Sequence, residues 1–134
     1  MFSESSDRKN LILYRGTRCA VVMNRFPYTS GHLMVTPFRH IADPGQMTEP
    51  ETVELHRLTV RSIDVLKKVM NPQGFNIGIN LGESAGAGLK DHLHQHLVPR
   101  WTGDTNFMPV LGGPRVMPEA LLNTYDLLSK EFCA

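Results

Sequence analysis

Three short apolar runs broken by turn residues lead into one long run whose apolar positions recur at helical spacing, and this change of period constrains the fold more than anything else in the chain. Residues 11–14 read as a strand ended by Arg15, Gly16 and Thr17, and residues 19–24 as a second. Residues 26–31, with Pro27 and Gly31, are turn material, and residues 32–37 give a third strand stopped by Pro37. Short loops between consecutive strands predict an antiparallel meander, because parallel strands need long crossovers.

The long run starts at Thr48. Thr48 followed by Glu51 has the spacing of a capping box, Pro50 suits a first helical turn, and Leu55, Leu58, Val65, Leu66 and Val69 share one face before Asn71, Pro72 and Gly74 break the period. The spacing predicts a helix over 48–70, with His56, Lys67 and Lys68 on its solvated surface. Residues 75–80 alternate as a strand, 81–90 form a glycine-rich loop, 92–99 alternate again, and Leu121, Leu122, Tyr125 and Leu128 predict a short closing helix after Pro118. The predicted architecture is one α+β domain over 1–134: a five-stranded antiparallel sheet, one long and one short helix, and a loose segment at 1–10.

A chain of 134 residues buries a real core without metal or disulfide staples. A formal net charge of +1 gives no support for a nucleic-acid or membrane-surface binder acting through bulk electrostatics. Residues 1–10 lack an apolar targeting stretch, and Cys19 and Cys133 are too isolated to read as a disulfide framework, so the cytosol is the expected compartment and both thiols are expected to be inert.

Three of the six histidines, His92, His94 and His96, stand at alternate positions. On a strand they share one face, with Leu93, Gln95 and Leu97 on the other, and neighbours of the set are about 6.6–6.8 Å apart. The outer pair is then about 13 Å apart, whereas zinc holds imidazole nitrogens at about 2.0–2.1 Å, so one ion does not easily collect all three. A two-histidine metal pair completed by His32, Asp91 or Glu83, a packed core of neutral rings, and catalysis on an anion are the three open readings. Buried neutral rings each need a donor and an acceptor. For catalysis, a neutral ring attacks phosphorus while a neighbour stabilises charge. The Gly82-to-Gly88 loop just before the histidines favours the last reading, since main-chain N–H groups of such a turn form an anion-binding nest.

The run from His92 to Val98 resembles the histidine-triad motif of a superfamily of nucleotide hydrolases and transferases. Asn24 and Arg25 followed by residues 30–37 resemble that family's nucleoside-binding half, Asn80, Leu81 and Gly82 before Ala85 and Gly86 its phosphate loop, and residues 99–108 its diadenosine polyphosphate branch, Fhit-like hydrolases and bacterial Ap4A phosphorylases. The resemblance covers residues 11–132. It implies that His94 attacks the α-phosphorus of a diadenosine polyphosphate to form an AMP–histidine intermediate, passed to water or phosphate. The His92 carbonyl would hold the other nitrogen of His94, His96 would contact phosphoryl or bridging oxygen, and His32 would orient the triad. Asn24 would bind ribose and Asn80 phosphate; by residue type alone Asn24 also reads as a turn residue after a strand, and His32 as a surface histidine at a strand start. Backbone N–H groups around Gly86 and Gly88, with Lys90, would complete the phosphate contacts.

Two departures stand out: Gln95 occupies a normally apolar position, and the Gly-Gln-Ser/Thr of several hydrolases is missing before the triad. The resemblance further implies a homodimer with a ten-stranded sheet and a small-molecule nucleotide as the partner, not nucleic acid or a membrane. It implies no resident metal or cofactor, with Mg²⁺ entering only as the counterion of the polyphosphate. An adenosine phosphoramidase of the same superfamily, a nucleotide-binding scaffold with little activity, and a metal-dependent enzyme of another fold are the alternatives.

Overall fold

In the computed structural model, residues 6–85, 92–104 and 118–133 are described. Strands β1 (Ile12–Arg15), β2 (Cys19–Met23), β3 (Leu33–Pro37), β4 (Gly74–Gly78) and β5 (Gln95–Arg100) form one sheet in the order β1-β2-β3-β5-β4. All neighbours are antiparallel, so β1 to β3 form the expected meander and β5 inserts between β3 and the edge strand β4. Helices α1 (Glu49–Met70) and α2 (Pro118–Cys133) complete the α+β fold, and α2 is longer than its short apolar pattern predicts.

α1 begins where the sequence places it. Thr48 Oγ1 accepts from the Glu51 N–H at 3.3 Å, and Glu51 Oε1 accepts from the Thr48 N–H at 2.9 Å, so both ends of the capping box are made. The helix stops at Asn71, whose left-handed backbone (φ 50°, ψ 56°) lets its N–H reach the carbonyls of Leu66 and Lys67. Glu51 is itself buried, and the guanidinium of Arg39, at 2.7 and 2.8 Å, holds its carboxyl down to about 2, with the Thr48 N–H helping. His56, Lys67 and Lys68 lie on the exposed face, as the period predicts.

Both helices cover one side of the sheet. Leu55, Leu58, Val65 and Leu66 of α1 and Leu121, Tyr125, Leu128 and Phe132 of α2 pack with Cys19, Val21, Met23, Leu33, Val35 and Leu97 in one core. β2 is buried along its whole length because its alternate residues Ala20 and Val22 join Ile12, Met34 and Phe38 in a second, smaller cluster on the other side. Cys19 is sealed in the main core, and burial, with Glu54 and Glu51 adding to it, pushes its thiol up to about 12, which makes it no nucleophile near neutrality.

Residues 6–10, expected to be loose, are wound into turns and tied down. Asp7 pairs with Arg15 at 2.7 Å and Arg8 with Asp126 of α2 at 3.0 Å. Gly31, at φ +83°, sits where the chain turns into β3; a Cβ there would meet Met70 Sδ at 2.7 Å and Leu66 Cδ2 at 3.1 Å, so only glycine fits between the end of α1 and the sheet.

Candidate active site

The register of the sheet puts His96 on the helix-free side. His96 pairs with Met34 of β3 and Gly78 of β4, whereas its neighbour Gln95 turns towards α1 and donates to Thr59 Oγ1 at 2.9 Å. Thr59 in turn donates to the Leu55 carbonyl at 2.8 Å, so the polar residue at a normally apolar position is accommodated by a polar partner on the helix.

β5 starts only at Gln95, three residues later than the alternation predicts, and this corrects the picture of three histidines aligned on one strand face. The ladder with β3 ends at the Val35–Gln95 pair, and two residues further on β3 is Pro37, which has no N–H to continue it. Residues 92–94 are held instead by Thr36 Oγ1 donating to the Leu93 carbonyl at 2.8 Å and the Leu93 N–H donating to the Ile41 carbonyl at 2.6 Å. The His94 and His96 rings stay together, 4.8 Å apart and nearly edge to face, while the His92 ring meets His40 and the Pro37 carbonyl.

The hydrogen bonds fix the tautomers of the neutral rings. The Tyr28 backbone N–H donates to His32 Nδ1 at 3.2 Å, which leaves the proton of His32 on Nε2. His32 Nε2 lies 2.9 Å from His96 Nδ1, so His32 donates and His96 carries its own proton on Nε2. His94 Nδ1 donates to the His92 carbonyl at 2.9 Å, and the neutral ring then presents its lone pair at Nε2. One ring thus offers a nucleophilic nitrogen beside a ring that offers a donor.

Electrostatics keep the donor side uncharged. His32 is almost wholly buried, and that burial, with repulsion from any charge on His96 or His94, brings it down to about 3. His96 is lowered by burial first and by His94 second. Among the described residues, no group of three or more His, Cys, Asp or Glu side chains is placed to hold a metal ion.

Asn24 closes the turn after β2, its Oδ1 accepting from the Phe26 N–H at 2.9 Å, while its Nδ2 lies 3.4 Å from His32 Nε2. Asn80 and His96 line a cleft of about 230 Å³ with Tyr28, Asn76, Ile77, Gly78 and Val98. The Tyr28 ring, half exposed, stacks on His32 with centroids 5.0 Å apart. Gly86, Gly88 and Lys90 lie outside the described residues, as does Asp91, and of Glu83 only the backbone is described. A larger groove of about 530 Å³, between the β1–β2 turn and the start of α1, has Arg18, Glu54 and Arg57 in its walls and none of the histidines, so size does not mark the site here. Sequence reasoning missed Tyr28, a turn residue by type, and His40, whose partner His92 is 52 positions away.

Comparison with known proteins identifies the family. The model of the HIT domain matches residues 5–103. The chain is 46% identical over 127 residues to the AP-4-A phosphorylase of Mycobacterium tuberculosis, covering 95% of this chain and 65% of that protein. It thus spans just under two thirds of the length of that relative. It is 31% identical over 93 residues to the asymmetrical bis(5'-nucleosyl)-tetraphosphatase of Schizosaccharomyces pombe, covering 69% of this chain and 50% of that one. The crystal structure of the C. elegans NitFhit protein superposes with a TM-score of 0.76 at 25% identity, over 91% of this chain and 27% of that one. With the five-stranded sheet, the paired histidines and a family match across most of its length, the chain belongs to the HIT family.

Proposed function

We propose that the protein is a nucleotidyl hydrolase or transferase that cleaves diadenosine polyphosphates through a covalent AMP–His94 intermediate. The observation that carries this reading is the pair of opposed tautomers, His94 with its lone pair at Nε2 and His96 with its proton there, 4.8 Å apart between ring centres. His94 Nε2 attacks the α-phosphorus, the Nε2–P bond forms, and the P–O bond to the bridging oxygen breaks. The ring becomes positively charged, and the His92 carbonyl that already holds its Nδ1–H stabilises it.

The His96 Nε2–H donates to the bridging oxygen as charge gathers there. A phosphate leaving group departs as an anion and needs no proton, which suits a His96 kept neutral by burial. An amine leaving group needs a proton that such a ring supplies poorly, so this site favours polyphosphate over phosphoramidate substrates. In the second step water or inorganic phosphate attacks the phosphorus, the Nε2–P bond breaks, and AMP or ADP leaves. The name carried by the M. tuberculosis relative favours phosphate as acceptor. Asn80 would contact phosphate, Asn24 ribose, and Gly86, Gly88 and Lys90 the remaining oxygens; Mg²⁺ would accompany the substrate as its counterion.

The second copy expected of the family fits the free edge of β4. Among the described residues nothing pairs with its outer side, and Ile77 on the helix side of β4 is exposed to roughly half. A homodimer pairing two β4 edges would cover Ile77. No helix among the described residues is long and apolar enough to cross a membrane, and we place the protein in the cytosol on its sequence alone.

The test is a product assay on Ap3A and Ap4A, with and without phosphate, on the wild type and His94→Ala. Labelled AMP should be trapped on the wild type and absent from the variant, which should still bind nucleotide. Wild-type turnover by His94→Ala would overturn the reading.

A further inference from the structure

We propose that His40, outside the triad, is a positioning residue for the nucleophile: it holds the His92 ring, and so fixes the carbonyl that sets the tautomer of His94. The inference rests on the reading of His94 as nucleophile. It starts from the Pro37 carbonyl, 2.9 Å from His92 Nε2. A carbonyl oxygen only accepts, so Nε2 of His92 carries its proton and the neutral ring has its lone pair on Nδ1. His40 Nδ1 is 3.2 Å from that atom and is therefore the donor, with the rings crossed at 70° and 5.2 Å between centres.

His92 is thus gripped at both ring nitrogens, and its own carbonyl is the acceptor for His94 Nδ1 at 2.9 Å. This happens where the β3–β5 ladder has already stopped. Among the described residues, contacts with residues 36–41 help to position that carbonyl: Thr36 to the Leu93 carbonyl, the Leu93 N–H to Ile41, and the two bonds of the His92 ring. Arg39, beside His40, is anchored to Glu51 of α1, so the gripping segment is itself fixed to the helix. Losing the His40 bond removes the donor to His92 Nδ1 and with it one of the two hydrogen bonds that set the ring. Its carbonyl can then drift, and His94 can take up the other tautomer, with its proton where the lone pair is needed.

His40 is exposed, so its replacement is not a core mutation. His40→Phe keeps a ring against His92 and removes the donor; His40→Asn places an amide N–H near the position of Nδ1. We expect His40→Phe to lower kcat for Ap4A about tenfold with KM unchanged within about twofold, as expected when a partner that orients a reacting ring is lost. The ¹⁵N signals of the His94 ring should move from a single Nδ1–H form to a mixture of tautomers. His40→Asn should restore both. Wild-type His94 ring signals in His40→Phe, or a loss confined to KM, would overturn the proposal. His94→Ala distinguishes the two ideas: turnover by that variant removes His94 as nucleophile, while the ring signals of His40→Phe still decide whether His40 orients it.

Discussion

His32 Nε2 sits 2.9 Å from His96 Nδ1, and because the Tyr28 N–H occupies the other nitrogen of His32, the direction of that bond is dictated from the main chain. A backbone amide thus decides, through two rings, that His96 presents a donor to the cleft. His32→Phe removes the relay and keeps most of the packing. It should lower kcat about tenfold or more, and the ¹⁵N signals of His96 should show a shift towards the Nδ1–H tautomer; unchanged signals would refute the relay.

The same residue makes stability depend on pH. His32 titrates at about 3 in the folded protein and near 6.5 in its ordinary state, so between those values the unfolded chain binds a proton that the folded chain refuses. Its contribution is therefore intact above pH 6.5 and falls by about 1.4 kcal/mol for each pH unit below it, until the folded value is reached. His96, also lowered, acts in the same direction, and Glu51, held at about 2 against an ordinary 4.5, adds a loss of the same sign below pH 4.5. Urea unfolding in steps from pH 7 to pH 4.5 isolates the histidines, and His32→Phe should show the shallower slope.

Gln95 and Thr59 form a pair that tests how a polar residue survives beneath α1. Thr59→Val leaves the Gln95 amide without its acceptor and should cost about 1–2 kcal/mol in chemical unfolding. Gln95→Leu in that background should recover most of it, since the amide that lost its acceptor is then gone as well. Additive losses in the double variant would mean the two side chains act separately.

Thr48→Ala removes the side-chain acceptor for the Glu51 N–H at the start of α1 and should cost about 1 kcal/mol, read as a lower midpoint in urea with an unchanged m-value. Thr48→Ser should restore it.

An Ile77→Lys substitution puts a charge on the exposed helix side of β4, where the second copy is proposed to pair. Light scattering after size exclusion should show the wild type as a dimer and the variant as a monomer, with circular dichroism unchanged. A monomeric wild type would remove the dimer.

Much of this was legible in the chain because it is local. The capping box of Thr48 and Glu51 lies within one helical turn, and α1 starts within a residue of where it points. The alternation of His94, Gln95 and His96 put Gln95 on the side away from the histidine rings, and it is there. What escaped depends on partners distant in sequence. The late start of β5 follows from Pro37 standing two residues past the last rung of the ladder, a register that strand periodicity does not contain. His40 reads as an ordinary loop residue until β3 and β5 are side by side. The contact roles of Asn24 and Asn80 need a substrate to define them, and residue type at a turn does not.

Gly31, the residue before His32, lies directly against Met70 and Leu66, with no room for a methyl group. The last turn of α1 therefore works as a backstop for the turn that leads into His32, and repacking there would be felt as a displaced ring and not merely as a softer core. Variants selected for new leaving groups should keep that junction and change at the open rim, where Tyr28 and Asn80 have solvent to move into.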